Sequence, residues 1–250
     1  MTAVPQTVER AIDLIEFIAD IPRTLSEIAR EQQVHKSTAL RLLQTLEARG
    51  FARRDAKGRY SVGFGMIALS QRALDNLDIY GAAHPLLVAL SAELGHTLHL
   101  GQLVDNEVMY VDKVEGRGAI KMYSRVGGVA ITHTSGVGKA ILAFLEEPLR
   151  QRVLQNVKLE RYTLTSITTP EALDRELAVT CARGWAEDNA EFEEAINCVA
   201  VPIRDSQGLV RNAISLTALQ ALAPLETLRR QVPSLVATAD AISREYGWRG

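Results

Sequence analysis

Apolar residues recur at helical spacing in three consecutive segments near the N-terminus of the 250-residue chain. Residues 8–19 form the first segment, and residues 24–51 contain two shorter ones with a tight break between them. Thr24 followed by Glu27 has the spacing of a capping box, and Gly50 stands where a helix C-terminus favours positive φ. Apolar stripes this narrow must pack on one another, so the sequence predicts a helix-turn-helix covered by a third helix.

Two short strand-like segments come next, at residues 51–54 and 59–62. The residues between them are Asp-Ala-Lys-Gly, and Gly58 suits a turn position, so we predict a small hairpin. Three helices followed by a hairpin predict a winged helix-turn-helix domain over residues 1–63.

The period of the apolar pattern changes several times in the rest of the chain. Residues 64–80 predict a linker helix, and residues 81–250 predict a second domain. Its predicted helices are at residues 82–94, 136–144, 147–156, 170–183, 225–232 and 233–246. Its predicted strands are at residues 97–104, 108–111, 119–124, 185–188, 197–203 and 209–216. Short turns join several of these strands, so we expect a mainly antiparallel sheet carrying helices, and an α+β fold.

Two details of this pattern are used below. Pro85 is predicted near the start of the helix at 82–94, and Pro233 at the first position of the last helix, because the first turn tolerates proline. In the strand at 97–104 the leucines do not alternate cleanly, so the pattern leaves open which residues face which side of the sheet.

Composition and cysteine usage narrow the class of protein. Hydrophobic residues make up 47% of the chain and charged residues 23%, as in soluble globular proteins. The N-terminus resembles no signal peptide, and no apolar run reaches the length of a membrane span. Cys181 and Cys198 belong to no CxxC or Cys/His cluster. We therefore expect a cytoplasmic protein with no membrane partner, no metal site and no cofactor.

The charge of the chain is distributed unevenly. The formal net charge is −2, yet residues 35–59 carry seven cations against two acids, a local net charge of +5. Phosphate attraction needs such a local basic patch. The face of the second predicted helix that points away from its apolar stripe carries hydrogen-bond donors and small groups, as a DNA-reading helix requires. The candidate DNA contacts are His35, Lys36, Ser37, Thr38, Arg41, Gln44 and Thr45 on this helix, with Arg53, Arg54, Lys57 and Arg59 on the wing. The alternative is an ordinary solvated face.

Motifs for catalysis are missing or incomplete. The segment SGVGKAIL looks like a phosphate-binding loop, but His133 and Ala140 occupy the positions that need glycine and a hydroxyl residue. No GxSxG or HExxH motif occurs, so we expect no enzyme and no catalytic residues. The small residues at 135–139 expose backbone N–H groups at a helix start, which suits an anion such as a carboxylate. Close packing of the helix on a sheet explains the same glycines equally well.

Several motifs, in this order and spacing, resemble the IclR family of bacterial transcription regulators over nearly the whole chain. They are KSTALRLLQTLEARGF, MYSRVG, THTSGVGKAILAFL, GWAEDNAEFEEAINCVAVPIRDSQG and AISLT. The match looks most like the sugar-acid branch that includes the 2-keto-3-deoxygluconate regulon repressor. The resemblance implies an N-terminal winged helix-turn-helix, a linker helix and a C-terminal effector-binding domain with a GAF/profilin-like fold. It also implies homodimers, or dimers of dimers, as the form that binds DNA.

The resemblance also implies a set of effector-binding residues. Gly136 and Val137 would offer backbone N–H groups to the carboxylate of a small organic acid, and Asp188 would accept hydrogen bonds from its hydroxyls. Cys198, Ser215 and Thr217 match further pocket positions. At the position of Thr217, serine is the more usual residue. Cys198 is either a direct contact or a buried apolar filler. His133, two residues before the anion loop, is an additional candidate.

The sequence thus predicts a DNA-binding transcriptional regulator, which we expect to be a repressor, with double-stranded operator DNA as its partner. A small carboxylate such as a sugar acid or keto acid is expected to control operator binding. The alternative is a metabolite-binding enzyme or sensor whose N-terminal helices mediate protein contacts.

Overall fold

A computed structural model of the chain describes residues 5–75, 78–117, 122 and 124–250. The chain divides into two compact units, Met1–Asn76 and Leu77–Gly250. Each unit has its own hydrophobic core, so the two are described separately below.

The N-terminal unit contains four helices and a small antiparallel sheet within its described residues. The helices are α1 (Gln6–Asp20), α2 (Leu25–Glu31), α3 (Lys36–Ala48) and α4 (Phe64–Asp75). The strands are β1 (Arg23–Thr24), β2 (Ala52–Arg54) and β3 (Arg59–Val62), in the order β1-β3-β2. The helix-turn-helix and its hairpin wing are therefore confirmed.

The helix-turn-helix is held by its caps and its apolar stripes. The Thr24 side chain accepts a hydrogen bond from the Glu27 backbone N–H, while a Glu27 carboxylate oxygen lies 2.7 Å from the Thr24 backbone nitrogen. This reciprocal pair is the predicted capping box. Behind it, Leu14 of α1, Ile28 of α2 and Leu43 of α3 are fully buried in one core, so three helices close over one another.

Within its described residues, the C-terminal unit is a five-stranded antiparallel sheet with helices on both faces. Its strands are β4 (Thr97–Val104), β5 (Glu107–Val114), β6 (Ala186–Asn189), β7 (Ile196–Arg204) and β8 (Val210–Leu219), in the order β5-β4-β8-β7-β6. Its helices are α5 (Asp78–Leu94), α6 (Gly136–Phe144), α7 (Glu147–Leu154), α8 (Pro170–Arg183) and α9 (Leu225–Glu245). Helices α5 and α9 share one core with the sheet, and α6 belongs to a second core with α7 and α8. The α+β fold with an antiparallel sheet is confirmed.

Strand β4 lies between two cores, which explains its unclear sequence pattern. Residues 97–101 are all buried, and Leu98 and Leu100 belong to the core shared with α5 and α9. The register with β5 shifts between Leu100 and Gly101. A Cβ at Gly101 would lie 2.9 Å from the Cβ of Val137, so glycine allows α6 to approach the strand.

Two predicted helix boundaries at prolines are wrong. Helix α5 begins at Asp78, so Pro85 lies inside it, and α9 runs unbroken from Leu225 to Glu245 through Pro233. Both prolines are exposed, where water can reach the carbonyl that proline leaves unpaired. The apolar stripe of each helix continues on both sides of the proline, so packing on the sheet outweighs the lost hydrogen bond.

Two other predictions fall partly outside what the structure describes. The strand predicted at 119–124 lies mostly in residues 118–121 and 123, which are not described. The predicted linker helix at 64–80 covers α4 and the first residues of α5, with residues 76–77 between them not described. Within the described part of the chain, no helix is long and apolar enough to cross a membrane.

Candidate functional site

The outward face of α3 is a continuous polar surface. Its exposed residues are Thr38, Arg41, Gln44, Thr45 and Ala48, the same positions that the sequence assigned to this face. Ala39, Leu43 and Leu46 are buried on the opposite side, which fixes the rotation of the helix. The Thr45 hydroxyl donates to the Arg41 carbonyl oxygen at 2.9 Å. Among the described residues, the Arg41 guanidinium makes no hydrogen bond.

The start of α3 is held by its own polar residues. His35 is the N-cap, and its Nδ1 accepts from the Ser37 backbone N–H at 3.4 Å. The same nitrogen lies 2.9 Å from the Ser37 hydroxyl. His35, Lys36 and Ser37 are exposed, so they present donors at the end of the helix that a DNA groove would receive.

The hairpin wing keeps its cations in fixed positions. Arg53 donates from Nε to the Ser61 hydroxyl at 3.2 Å, and the Arg54 guanidinium lies 5.5 Å from the centre of the Tyr60 ring. Arg59 pairs with Asp55 at 3.3 Å, so part of its charge is neutralised within the wing. Lys57 is exposed in the turn. Arg53, Arg54 and Lys57 thus supply most of the wing's positive charge.

A second candidate site is a cavity of about 290 Å³ in the C-terminal unit, between the start of α6 and the sheet. Six of the seven predicted effector residues line it: Gly136, Val137, Asp188, Cys198, Ser215 and Thr217. Only the family resemblance joined these six in the sequence, because they come from a helix start and three separate strands that no local pattern brings together.

Backbone N–H groups at the start of α6 border this cavity. Ser135 is the N-cap, and its hydroxyl oxygen accepts from the Gly138 N–H at 3.2 Å. The Gly136 and Val137 N–H groups belong to the first turn, where backbone donors lack partners within the helix. A Cβ at Gly136 would lie 2.6 Å from the Cys198 sulfur, so the glycine is required for the helix start to sit on β7.

The cavity carries a buried carboxyl group at the end of β6. Asp188 pairs with Cys198 across the strands and is 6% exposed. Its Oδ1 accepts from the Glu191 backbone N–H at 2.7 Å. Burial raises the pKa of Asp188 to about 7, against the lowering effect of that hydrogen bond. The group therefore changes between donor and acceptor near neutral pH. Burial also raises the pKa of the Cys198 thiol to about 12, which keeps it uncharged.

A buried ion pair supports the loop that follows Asp188. Lys139 of α6 is fully buried, and its Nζ lies 2.5 Å from a Glu191 carboxylate oxygen. Burial raises the pKa of Glu191, whereas the charge of Lys139 lowers it. The hydroxyls of Thr163 and Ser166 donate to the Glu191 carbonyl at 3.2 and 2.6 Å. The Asp188 loop is thus tied to the same helix whose N-terminus borders the cavity.

His133 lies apart from the other predicted effector residues. It does not line the cavity, and its Nε2 lies 3.0 Å from the Glu160 carbonyl oxygen. Its ring packs against Tyr162 with centroids 6.0 Å apart. The structure therefore gives His133 a role in holding the loop at Glu160, away from the helix start.

Several cavity residues were not among the sequence-predicted sites. They are His99, Tyr110, Met122, Ser124, Arg125, Phe192, Glu193 and Ile196. The signal that could have located His99 and Tyr110 is their position on neighbouring strands, once the register was known. Among the residues that the structure describes, no cluster of histidine, cysteine and acidic side chains is placed to hold a metal ion.

Comparisons with known proteins place both units in one family. Residues 71–244 match the sequence description of the bacterial transcriptional regulator IclR C-terminal domain, and residues 7–56 match the IclR helix-turn-helix domain. The chain belongs to the IclR family. It is therefore a DNA-binding transcriptional regulator.

Similar IclR-family proteins match most of the chain. An HTH-type transcriptional regulator of Escherichia coli K12, KdgR, is 31% identical over 225 residues, 90% of this chain and 86% of KdgR. The crystal structure of the Thermotoga maritima IclR is similar with a TM-score of 0.85 and 34% identity, covering 97% of this chain and 99% of that one. An IclR homologue from Microbacterium hydrocarbonoxydans, solved as a complex with 4-hydroxybenzoate, has a TM-score of 0.83 and 25% identity, covering 96% and 98%.

Proposed function

We propose that this IclR-family regulator is a cytoplasmic repressor that binds a partly palindromic operator as a homodimer or dimer of dimers. A small carboxylate, such as a sugar acid or keto acid, binds in the C-terminal unit and releases it from DNA. The observation that carries the effector part is the cavity in which the N–H groups of Gly136 and Val137 and the buried Asp188 meet. Repression is inferred from the resemblance to the branch that includes the 2-keto-3-deoxygluconate regulon repressor.

The DNA contacts follow from the exposure and charge of the N-terminal unit. The exposed polar face of α3 enters the major groove, with Arg41, Gln44 and Thr38 nearest the base edges. Arg53, Arg54, Lys57 and Arg59 of the wing bind the phosphates beside that groove. His35, Lys36 and Ser37 add donors at the helix start, and Thr45 completes the face.

The effector is held by complementary polar groups. Its carboxylate accepts hydrogen bonds from Gly136 and Val137 at the positive end of the α6 dipole. Ser215 and Thr217 present hydroxyls from β8, and Asp188 accepts from a hydroxyl of the ligand when ionised. A cavity of about 290 Å³ suits a small metabolite. The bound molecule stands near the uncharged thiol of Cys198.

Exposed apolar residues of the N-terminal unit support the dimer. Val8 and Ile12 of α1 are 55% and 51% exposed, and Phe64 and Ile67 of α4 are 72% and 64% exposed. Each pair lies on one face of its helix, at a spacing of four or three residues. Large exposed apolar groups of this kind mark an interaction surface. A dimer places two α3 helices at a fixed spacing, which matches two operator half-sites.

Release of DNA is a population shift. The protein has arrangements that match the half-site spacing and arrangements that do not, and the effector binds the second group more tightly. The effector can shift the equilibrium only by its difference in affinity for the two.

Arg41→Ala tests the DNA assignment. Operator DNA would first be selected from a pool of random duplexes, and its affinity would then be measured at several salt concentrations. We expect wild type to lose affinity steeply with salt, and Arg41→Ala to lose about 1–3 kcal/mol of operator binding free energy. Arg244 is an exposed residue of α9, so Arg244→Ala removes the same charge outside the proposed surface and serves as the control. Unchanged affinity of Arg41→Ala for both operator and random DNA would show that α3 is not the reading helix.

A thermal-shift screen of sugar acids and keto acids tests the effector assignment. A ligand that binds only the folded state raises the unfolding temperature, and the rise grows with the logarithm of its concentration above the dissociation constant. We expect a hit whose shift disappears in Asp188→Ala and persists in His133→Ala, since His133 does not line the cavity. A shift that survives Asp188→Ala removes Asp188 from the site.

A further inference from the structure

His99 occupies the wall of the cavity between two sets of hydroxyl groups. It lies on β4, paired across the sheet with Ser215 on one side and Lys113 on the other, and is 3% exposed. Its Nε2 lies 2.7 Å from the Ser124 hydroxyl oxygen. Its Nδ1 lies 3.3 Å from the Thr217 hydroxyl oxygen and 3.4 Å from that of Ser215. One ring therefore joins the hydroxyl pair of β8 to Ser124.

The ring is held neutral and in a fixed plane. Burial, together with the positive charge of Lys113, lowers the pKa of His99 to about 3. The Tyr110 ring packs against it with centroids 5.1 Å apart. A neutral imidazole has one nitrogen that donates and one that accepts. The two sides of His99 must therefore differ in hydrogen-bond direction.

The Ser124 side of this arrangement is anchored. Lys113 Nζ donates to the carbonyl oxygens of Met122 and Ser124 at 3.1 and 2.6 Å, and pairs with Glu115 at 2.9 Å. The Lys113 side chain is 9% exposed, so these contacts are sheltered from water. The Ser124 backbone is thereby held, and its hydroxyl can respond to His99 by rotating its proton.

The two tautomers give the cavity two different polar surfaces. With the proton on Nε2, His99 donates to Ser124, and Nδ1 accepts a hydrogen bond from the hydroxyl of Ser215 or Thr217. That hydroxyl then offers lone pairs to the cavity. With the proton on Nδ1, His99 donates to the β8 hydroxyl oxygens and Ser124 donates to Nε2. Ser215 and Thr217 then keep both protons for a ligand.

We propose that His99 is a positioning residue that sets, through its tautomer, whether both the Ser215 and the Thr217 hydroxyl are free to donate to the effector or one of them is committed to the ring. A carboxylate near β8 favours the tautomer with the proton on Nδ1, and Ser124 reverses its hydrogen bond in response. This inference rests on the proposed effector function for its ligand, but the hydrogen bonds through the ring are present without one.

The first test needs no ligand. In ¹⁵N spectra of the full-length protein with labelled histidine, the protonated and bare nitrogens of a neutral ring resonate far apart. Five histidines are present, and His99→Gln assigns the signals of His99 by their loss. We expect Ser124→Ala to shift the resonance of Nδ1 as well as that of Nε2. We expect Thr217→Val likewise to shift both resonances. Signals of His99 that stay in place in both variants overturn the proposal.

Two substitutions at position 99 separate positioning from packing. Asparagine places a polar atom near the Nδ1 position, and glutamine places one near Nε2. For an acid that binds wild type, we expect His99→Asn to retain most of the affinity and His99→Gln to lose about tenfold, the size of one hydrogen bond. Equal losses in two variants that unfold at the same temperature would mean that His99 only fills space.

The probes for the ligand arm are pyruvate, D-gluconate and 4-hydroxybenzoate. A probe that raises the unfolding temperature and moves the His99 proton to Nδ1 supports the inference. A probe whose shift depends on Asp188 but leaves the His99 signals unchanged overturns the inference and retains the effector proposal. If no probe shifts the unfolding temperature, the effector proposal fails for these acids, and the ligand-free spectra still decide the role of His99.

Discussion

Gly136 is the residue where packing and the candidate effector site depend most directly on each other. A Cβ added there would lie 2.6 Å from the Cys198 sulfur and 3.1 Å from the Ala200 Cβ. Heavy atoms in contact are normally about 3.5–4.0 Å apart. Gly136→Ala must therefore push the start of α6 away from β7, and such overpacking costs about 1–3 kcal/mol. In a protein of this size, a loss of about 2 kcal/mol lowers the unfolding temperature by roughly 4–8 °C.

The assay is thermal unfolding of Gly136→Ala beside two comparison variants. Gly81→Ala is the matched control, because it also changes a helical glycine but its Cβ would meet nothing within 4 Å. It is expected to gain about 0.5–1 kcal/mol from the lower chain entropy of alanine. Adding Cys198→Ala to Gly136→Ala removes the closest clash, so the double variant is expected to be more stable than the sum of the single effects. The reasoning is refuted if Gly136→Ala unfolds at the wild-type temperature, or if the two effects simply add.

Two further predictions concern a helix cap and a buried acid. Thr24→Ala removes the two hydrogen bonds of the Thr24 hydroxyl, one accepted from the Glu27 backbone N–H and one donated to the Glu27 carboxylate, and leaves the bond from the Thr24 backbone N–H in place. It is expected to cost about 1 kcal/mol in denaturant unfolding, and a loss within a few tenths would mean that water replaces the cap. The raised pKa of Asp188, about 7 against 3.8, means that the folded protein holds this proton more tightly than the unfolded chain. The free energy of unfolding of wild type relative to Asp188→Asn should thus be greatest below about pH 4, fall as the pH rises to about 7, and stay level above that. A difference between the two proteins that does not depend on pH would contradict the burial of this carboxyl.

The elements that could be predicted are those whose determinants are local. The capping box at Thr24, the serine cap before α6 and the bounds of α8 depend on residues within one turn, so their signals lie close together in sequence. The exposed face of α3 was also predictable, because helical periodicity alone assigns its positions. The boundaries at Pro85 and Pro233 were not, because packing on a distant sheet keeps both helices continuous.

The effector cavity shows the other limit. A family resemblance proposed Gly136, Asp188, Cys198, Ser215 and Thr217, and the structure brings all five to one cavity. It leaves out His133, whose ring turns to Glu160 although it stands only two residues before the helix. Nearness along the chain was a poor guide there, because the direction of a side chain in a loop depends on its contacts.

Local patterns in the sequence were sufficient for α3 and its exposed face, the hairpin wing, the positions of most strands along the chain and the glycine-rich helix start. Each of these depends on periodicity, caps or turn residues that act over a few positions. The tertiary structure was needed for the contacts of His99 and for the burial of Asp188 and Lys139. Those properties arise where strands from distant parts of the chain become neighbours, because burial and hydrogen-bond partners exist only after the sheet has formed.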